Sequence, residues 1–227
     1  MGIGANVDVG MGMERLDQQM RFIAEIGRLK GVLRQTMLAD AGRRENSAEH
    51  SWHLAVMAVT LADHAPPGTD IGRVTAMVLM HDLVEIDAGD LFVYADAAQQ
   101  ARQEEAERAA ADRIFALLPA DQAGRFRALW DEFEERRTPE ARFARGLDRL
   151  QPMVENFKVG GGTWTEHGIT ADQVLAKVQL IEDGSPALGR YARDLVAAAV
   201  RDGLLAPAPS SRETSPGETS PGETSPG

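Results

Sequence analysis

His50, the adjacent pair His81-Asp82 and Asp148 are the residues whose types could do chemistry together. Two imidazoles and two carboxylates form a borderline-to-hard donor set. Such a set suits a divalent cation such as Mn, Co, Fe, Ni, Zn or Mg, and it leaves coordination positions for water and substrate. That is the make-up of a catalytic centre rather than of a closed structural one. A single histidine carries little weight by itself, because a lone buried imidazole is more often a packed core residue.

The elements that must position these side chains read as helices. Ser47 to Ala65 is an apolar-periodic stretch with Ser47 as its cap and Pro66-Pro67-Gly68 as its stop, and it carries His50 near its start. Asp70 to about Glu85 is a second, with His81 and Asp82 near its end. Adjacent helical residues point about 100 degrees apart, so both reach one ion only if it sits at the helix edge between them. Asp148 arrives from a helix that begins at Pro139 and runs to Val159. Arg15 to Lys30 places Leu16, Met20, Ile23, Ile26 and Leu29 on one stripe, read as packing inward. Gln99 to Leu118, Ala120 to Arg136, Thr170 to Glu182 and Ser185 to Asp202 complete the set. Strand patterning is nearly absent, and the fold class that follows is an all-α helical bundle.

One domain is expected, over residues 14–205, between a Gly-rich disordered leader at 1–13 and a disordered tail at 206–227. The tail ends in three copies of Glu-Thr-Ser-Pro-Gly from Glu213, which have nothing apolar to bury. A formal charge of -11 and a pI near 4.9 argue against nucleic acid as a partner, since polyanion binding needs a basic surface. A small phosphorylated metabolite stays compatible, because a cation and a few arginines can make a local positive site. The chain has no cysteine, so thiolate chemistry and disulfides are excluded. No apolar run approaches the length that spans a bilayer, and the first residues lack a signal-peptide layout, so no membrane partner and a cytoplasmic location are expected.

The residues around the four donors carry a family resemblance. The segment from Arg43 to Ser51 resembles the first histidine box of the HD-domain phosphohydrolases. The segment from His81 to Asp90 resembles their HD-x-x-E-x-x-x-G-D box, and Gly146 to Leu150 the segment with the last aspartate. The similarity runs from about Leu16 to about Leu205 and points to the branch that contains the 5'-deoxynucleotidases. It implies an HD-domain helical bundle that holds one divalent metal ion through His50, His81, Asp82 and Asp148, acts on a small phosphomonoester such as a nucleoside 5'-monophosphate, and forms a homodimer.

The resemblance also implies roles for other residues. Glu85, on the face shared with His81 and Asp82, would act on the attacking water, and Asp90 on the following loop would contact substrate or support that water. Arg34 and Arg43 are the candidates to hold phosphate, with Arg44 and Lys30 behind them, because a guanidinium fork matches two phosphate oxygens. Each could equally be a surface ion-pair partner. His53 is assigned to packing or support rather than to the metal. The deoxynucleotidases carry a tryptophan near the phosphate-contacting arginine, where Gln35, Thr36 and Met37 stand here, so the resemblance does not extend to selectivity for deoxyribose. Trp164, Glu166 and His167 follow a Gly160-Gly161-Gly162 turn that reads either as a lid or, more commonly, as an anchored loop. Two rival readings are a non-catalytic nucleotide sensor and an HD-fold iron oxygenase. The oxygenases need extra histidines between the doublet and the last aspartate, and none lies between Asp82 and Asp148.

Overall fold

The computed structural model of the protein describes residues 4–38 and 42–209. Its α-helices in chain order are α1 (Gly4–Ile26), α2 (Ser47–Thr60), α3 (Ile71–Met80), α4 (Glu85–Ala88), α5 (Ala97–Phe115), α6 (Ala120–Glu135), α7 (Pro139–Lys158), α8 (Thr163–Glu166), α9 (Ala171–Gly184) and α10 (Pro186–Arg201). The fold is all-α, as the periodicity indicates. Leu54, Val74, Met77, Phe143, Leu147, Val178, Ile181 and Val196 form the main core between α2, α3, α7, α9 and α10. A smaller core joins Phe22, Leu29, Leu83, Val84, Ile114, Phe115 and Trp130 under α1, α5 and α6. No helix among the described residues is long and apolar enough to cross a membrane.

Several expectations change in ways that have physical causes. The loop between Arg34 and Arg44 is flanked by a short antiparallel pair, β1 (Leu33–Met37) and β2 (Arg44–Asn46). Its alternating burial is too brief to stand out in the sequence. The helix expected from Asp70 to Glu85 ends at Met80, and His81–Val84 form a 3-10 turn before α4. Asn46, not Ser47, caps α2: its side chain accepts from the Glu49 N–H, and Glu49 reaches back to the Asn46 N–H. The stripe over Arg15 to Lys30 divides, with Ile26 and Leu29 packed into the smaller core and its first three members not packed inward. Leu16, Met20 and Ile23 are about half exposed, and Phe22 on the opposite side is buried against Phe126.

The expected leader at 1–13 is helical from Gly4 onward, and residues 1–3 lie outside the described residues. Extending an existing helix costs far less than starting one, so an apolar face is not required there. At the other end the tail is not free at its first residue. The Ala206 carbonyl accepts from the Ala171 N–H at 2.8 Å, while the repeats from Glu213 lie outside the described residues.

α7 runs through the centre of the bundle and is held closely by α9. The tightest approach is at Gly184, where a Cβ would lie 2.8 Å from the Arg142 carbonyl carbon and 3.0 Å from Phe143 Cα. Both partners are backbone and cannot swing aside. We expect Gly184→Ala to lower unfolding free energy by about 1–3 kcal/mol through overpacking, read from urea denaturation midpoints. An unchanged midpoint would show that α9 can slide on α7.

Candidate metal centre

The first histidine box is a set of adjacent residues with separate tasks. Asn46 caps α2, and Arg43 grips Glu49 through two hydrogen bonds of 2.7 and 2.9 Å on the surface. Ser47, buried in the first turn, donates from Oγ to Glu85 Oε2 at 2.6 Å. His50, one turn on, is fully buried. Its Nδ1 lies 3.0 Å from Gln151 Oε1, and Gln151 Nε2 donates to Glu45 Oε1 at 2.9 Å. The amide of Gln151 is thereby oriented: its nitrogen faces the carboxylate, so its oxygen takes the His50 Nδ1–H. His50 Nε2 is left with a bare lone pair, 3.1 Å from Asp148 Oδ1. His53 also meets Gln151 Nε2, at 3.3 Å, which is a supporting position.

His81 arrives at the same point by a different route. Its Nδ1 lies 2.8 Å from the Val78 carbonyl, which fixes the Nδ1–H tautomer and turns Nε2 toward the carboxylates. Nε2 is 2.8 Å from Asp82 Oδ1 and 3.7 Å from Asp148 Oδ1, yet it is buried without a hydrogen-bond partner. Donor atoms of His50, His81 and Asp148 all lie within 4.8 Å of one another. Asp82 stands outside that tight group: its Oδ2 accepts from Arg34 Nη1 at 2.9 Å. Two imidazole lone pairs and a carboxylate oxygen converging in a buried place fit a divalent cation.

Electrostatics point the same way. Burial depresses the His81 imidazole, but Asp82 and Asp148 outweigh it and hold its pKa up to about 10. The place between these groups therefore favours a positive charge. Asp148 is held well below the usual carboxylate range, since Arg149 and the two histidines overcome its burial. Glu85 moves the other way, pushed well above the usual range by burial and then by Asp82. Asp90 is likewise raised by burial, against the pull of Arg34.

His81, Asp82, Glu85, Asp90 and Asp148 form the floor of a cleft of about 280 Å³ lined also by Phe92, Tyr94, Met153, Trp164 and the α5 residues Gln103 and Glu107. In the 3-10 turn, side chains three apart eclipse, which sets Glu85 directly beside Asp82 rather than on a broader helical face. Gly89, at φ 74°, makes the turn that brings Asp90 back over the floor, 3.5 Å from Arg34. Arg34 is in the cleft, but Arg43 is not; it serves the cap of α2. Arg44 pairs with Gln35 and Glu166 outside it. Trp164, 1% exposed, is an anchor of the wall rather than part of a lid, and the His167 ring packs on Phe92.

Sequence reasoning missed Gln151, Glu45, Arg145 and Arg149. Three of these are on α7 within one turn of Asp148, so helical spacing from the aspartate was the signal available. Pro152 is also inside α7. It has no N–H for the Asp148 carbonyl one turn back, so that carbonyl makes no helical bond to it.

A helical bundle in which histidine, a His-Asp doublet and a later aspartate converge at a cleft floor has the architecture of an HD domain. The HD domain pattern matches residues 26–188, and the chain belongs to that family. Human 5'-deoxynucleotidase HDDC2 is 28% identical over 137 residues, 60% of this chain, and the chain spans 65% of that relative's length. The zebrafish (Danio rerio) 5'-deoxynucleotidase HDDC2 is 28% identical over 141 residues, covering 62% of this chain and 68% of the relative. A crystal structure from Magnetospirillum magnetotacticum, described as a predicted metal-dependent phosphohydrolase, is 55% identical with a TM-score of 0.82, over 85% of this chain and 96% of that one. An HD-domain phosphohydrolase from Listeria innocua shares the fold, with a TM-score of 0.54 at 17% identity over 80% of this chain and 85% of that one.

Two expected outcomes follow from these geometries. Gln151→Leu keeps the shape but removes the partner that orients His50, and should weaken binding of cobalt(II) by roughly 10–100-fold; competition with a chromophoric chelator reads this, and equal affinity would mean that His50 needs no orienting group. Glu107 on the cleft wall is raised to about 7, by burial first and then by Glu134 and Asp82. An acid raised in the folded state gives stability that is lost as pH rises, here from the ordinary carboxyl range up to about 7. Glu107→Gln should therefore match the parent near pH 4 and exceed it by about 1–2 kcal/mol above pH 7, allowing for partial exposure. A gain of the same size at every pH in urea titrations would show that Glu107 is not the titrating group.

Proposed function

We propose that this protein is a metal-dependent phosphomonoesterase acting on nucleoside 5'-monophosphates. The observation that carries the reading is the convergence of His50 Nε2, His81 Nε2 and Asp148 Oδ1 beside a buried Glu85. The names of the human, zebrafish and Magnetospirillum proteins support it. Asp82, 2.8 Å from His81 Nε2, is the proposed fourth ligand.

A divalent ion held by these residues supplies polarisation of a phosphoryl oxygen and a lowered pKa for water. Glu85 takes the proton from the attacking water, a task suited to a carboxylate whose proton affinity is raised by burial and then by Asp82. Ser47 holds one Glu85 oxygen, at 2.6 Å, and so aims the other. The water oxygen bonds to phosphorus, the ester P–O bond breaks, and the released alcohol oxygen takes a proton. Asp90 is placed to hold substrate or that water over the floor, beside Arg34. The aromatic and apolar part of the cleft, Phe92, Tyr94 and Met153, is suited to a nucleobase. The exposed Leu16, Met20 and Ile23 of α1 support a homodimer.

The test is phosphate release from a panel of 5'-ribo- and deoxyribonucleotides, with elemental analysis of the same samples. His81→Ala should lose both metal and turnover. Glu85→Gln should keep metal and nucleotide affinity while turnover falls roughly 100-fold or more, as for loss of a general base. Full turnover in Glu85→Gln would assign the water to another group, and a metal-loaded protein inert toward every phosphomonoester would remove the reading.

A further inference from the structure

The cleft has two cationic ends, and they differ in how far their charge is cancelled. At one end Arg34 is surrounded by acids: Asp82 at 2.9 Å, Asp90 at 3.5 Å, and Glu45 and Glu85 each at 3.8 Å. Its charge is consumed in holding the floor together. At the other end Arg136, Arg145, Arg149 and Lys177 line the same cleft. Arg145 is also committed, to Glu134 at 2.8 Å and Asp148 at 3.3 Å, with its guanidinium 4.2 Å over the Phe133 ring.

Arg149 is not committed in this way. Its nearest carboxylate oxygen is Asp148 Oδ2 at 3.8 Å, beyond hydrogen-bond reach, so although Nε is buried without a partner in Arg34, Arg145 and Arg149 alike, of the three only Arg149 lacks a carboxylate hydrogen bond at its terminal nitrogens. Lys177 comes across from α9, its Nζ 5.9 Å from the Tyr94 ring centroid, with no acidic partner among the described residues. The side chain of Arg136, left-handed at the end of α6, donates only to the Glu134 backbone carbonyl among the described residues. These cations repel one another. Burial, then Arg149 and Arg136, pull the Lys177 ammonium below its ordinary value.

We propose that Arg149, backed by Lys177 and Arg136, is an anion subsite in the cleft that receives the phosphate group of the substrate. The proposal rests on the phosphomonoesterase reading and names the residues that grip the phosphate. Asp148 links the two halves of the site. Its Oδ1 is 3.1 Å from His50 Nε2, whereas its Oδ2 faces Arg145 and Arg149. An anion on the Arg149 guanidinium therefore lies next to the converging donor atoms. The guanidinium fork offers paired N–H groups that match two phosphate oxygens, and the ammonium of Lys177 adds charge without fixed geometry. Arg34, by contrast, would have to give up carboxylate partners to take a phosphate.

Inorganic phosphate, which shares this chemistry and is also the product, is the probe. It is titrated into the metal-loaded full chain and followed by phosphorus NMR or calorimetry, so the readout does not depend on turnover. Arg149→Gln should weaken phosphate binding roughly 10-fold or more, the loss expected for a charge-assisted hydrogen bond, with metal content and melting temperature unchanged. Lys177→Gln should weaken it by a smaller factor, and Arg149→Lys should restore part of the loss. In turnover, Arg149→Gln should raise KM for a phosphomonoester more than it lowers kcat. Phosphate bound as tightly by Arg149→Gln as by the parent, or not bound by the parent at millimolar concentration, overturns the subsite. Phosphate binding that depends on Arg149 in a protein without phosphatase turnover would retain the subsite and remove the phosphomonoesterase reading. Turnover with binding indifferent to Arg149 would do the reverse.

Discussion

Buried negative charge at the floor of the cleft is the constraint from which most of the structure follows. Glu45, Asp82, Glu85, Asp90 and Asp148 all have side chains less than a tenth exposed, and all face one region. A buried carboxylate without a partner costs several kcal/mol, so such a group is tolerated only with compensation. Arg34 supplies part of it from β1, which gives the short hairpin before α2 a reason to exist. Arg145 supplies more from α7. The two imidazoles take their place between the same acids, where a cation is favoured. The raised Glu85 is a consequence of the same crowding, because not every acid in the group can stay ionised at once. The proposed chemistry and the cost of the fold thus share one origin.

The elements that meet this constraint are economical in how they use the chain. Two turns of α7 present Arg145, Asp148, Arg149 and Gln151 toward α2 and the cleft. The 3-10 turn at His81–Val84 divides its residues differently, with His81 and Asp82 toward the cleft, Leu83 into the smaller core and Val84 touching both. That turn lies at the seam between the two cores, with Met80 packed against both. The doublet is anchored on its apolar side by packing that owes nothing to the chemistry.

Much of this was legible in the sequence because the donor types are rare and their surroundings are ordered. The helical class, the main helices, the convergence of His50 with His81 and Asp148, and the cleft-lining positions of His81, Asp82, Glu85, Asp90, Asp148 and Arg34 were readable from motif and periodicity. Arg43 was misread as facing the site because it adjoins the histidine box, whereas its role is to hold the cap acid Glu49. The first half of the α1 stripe, Leu16, Met20 and Ile23, departs from the expected inward packing because periodicity reveals an amphipathic face but not what covers it. Gln151 and Arg149 went unnoticed since glutamine and arginine on a charged helix look like ordinary surface. Only the crossing of α2 over α7 shows what they touch. The 3-10 turn was hidden for a related reason, as its residues suit an α-helix and tertiary packing decides between the two.

The contacts that close the site are far apart along the chain: His50 meets Asp148 across 98 positions, and Glu45 meets Gln151 across 106. Pairings of that separation form late in folding, after the loop-closure entropy between them has been overcome. The first 138 residues of the chain, emerging from a ribosome, carry His50, His81 and the Glu85 carboxyl but not the helix that orients His50. A nascent or fragmentary chain would therefore hold the donors without their geometry. The donors acquire their geometry only when α7 docks, so the site depends on elements drawn from distant parts of the chain rather than on any single part.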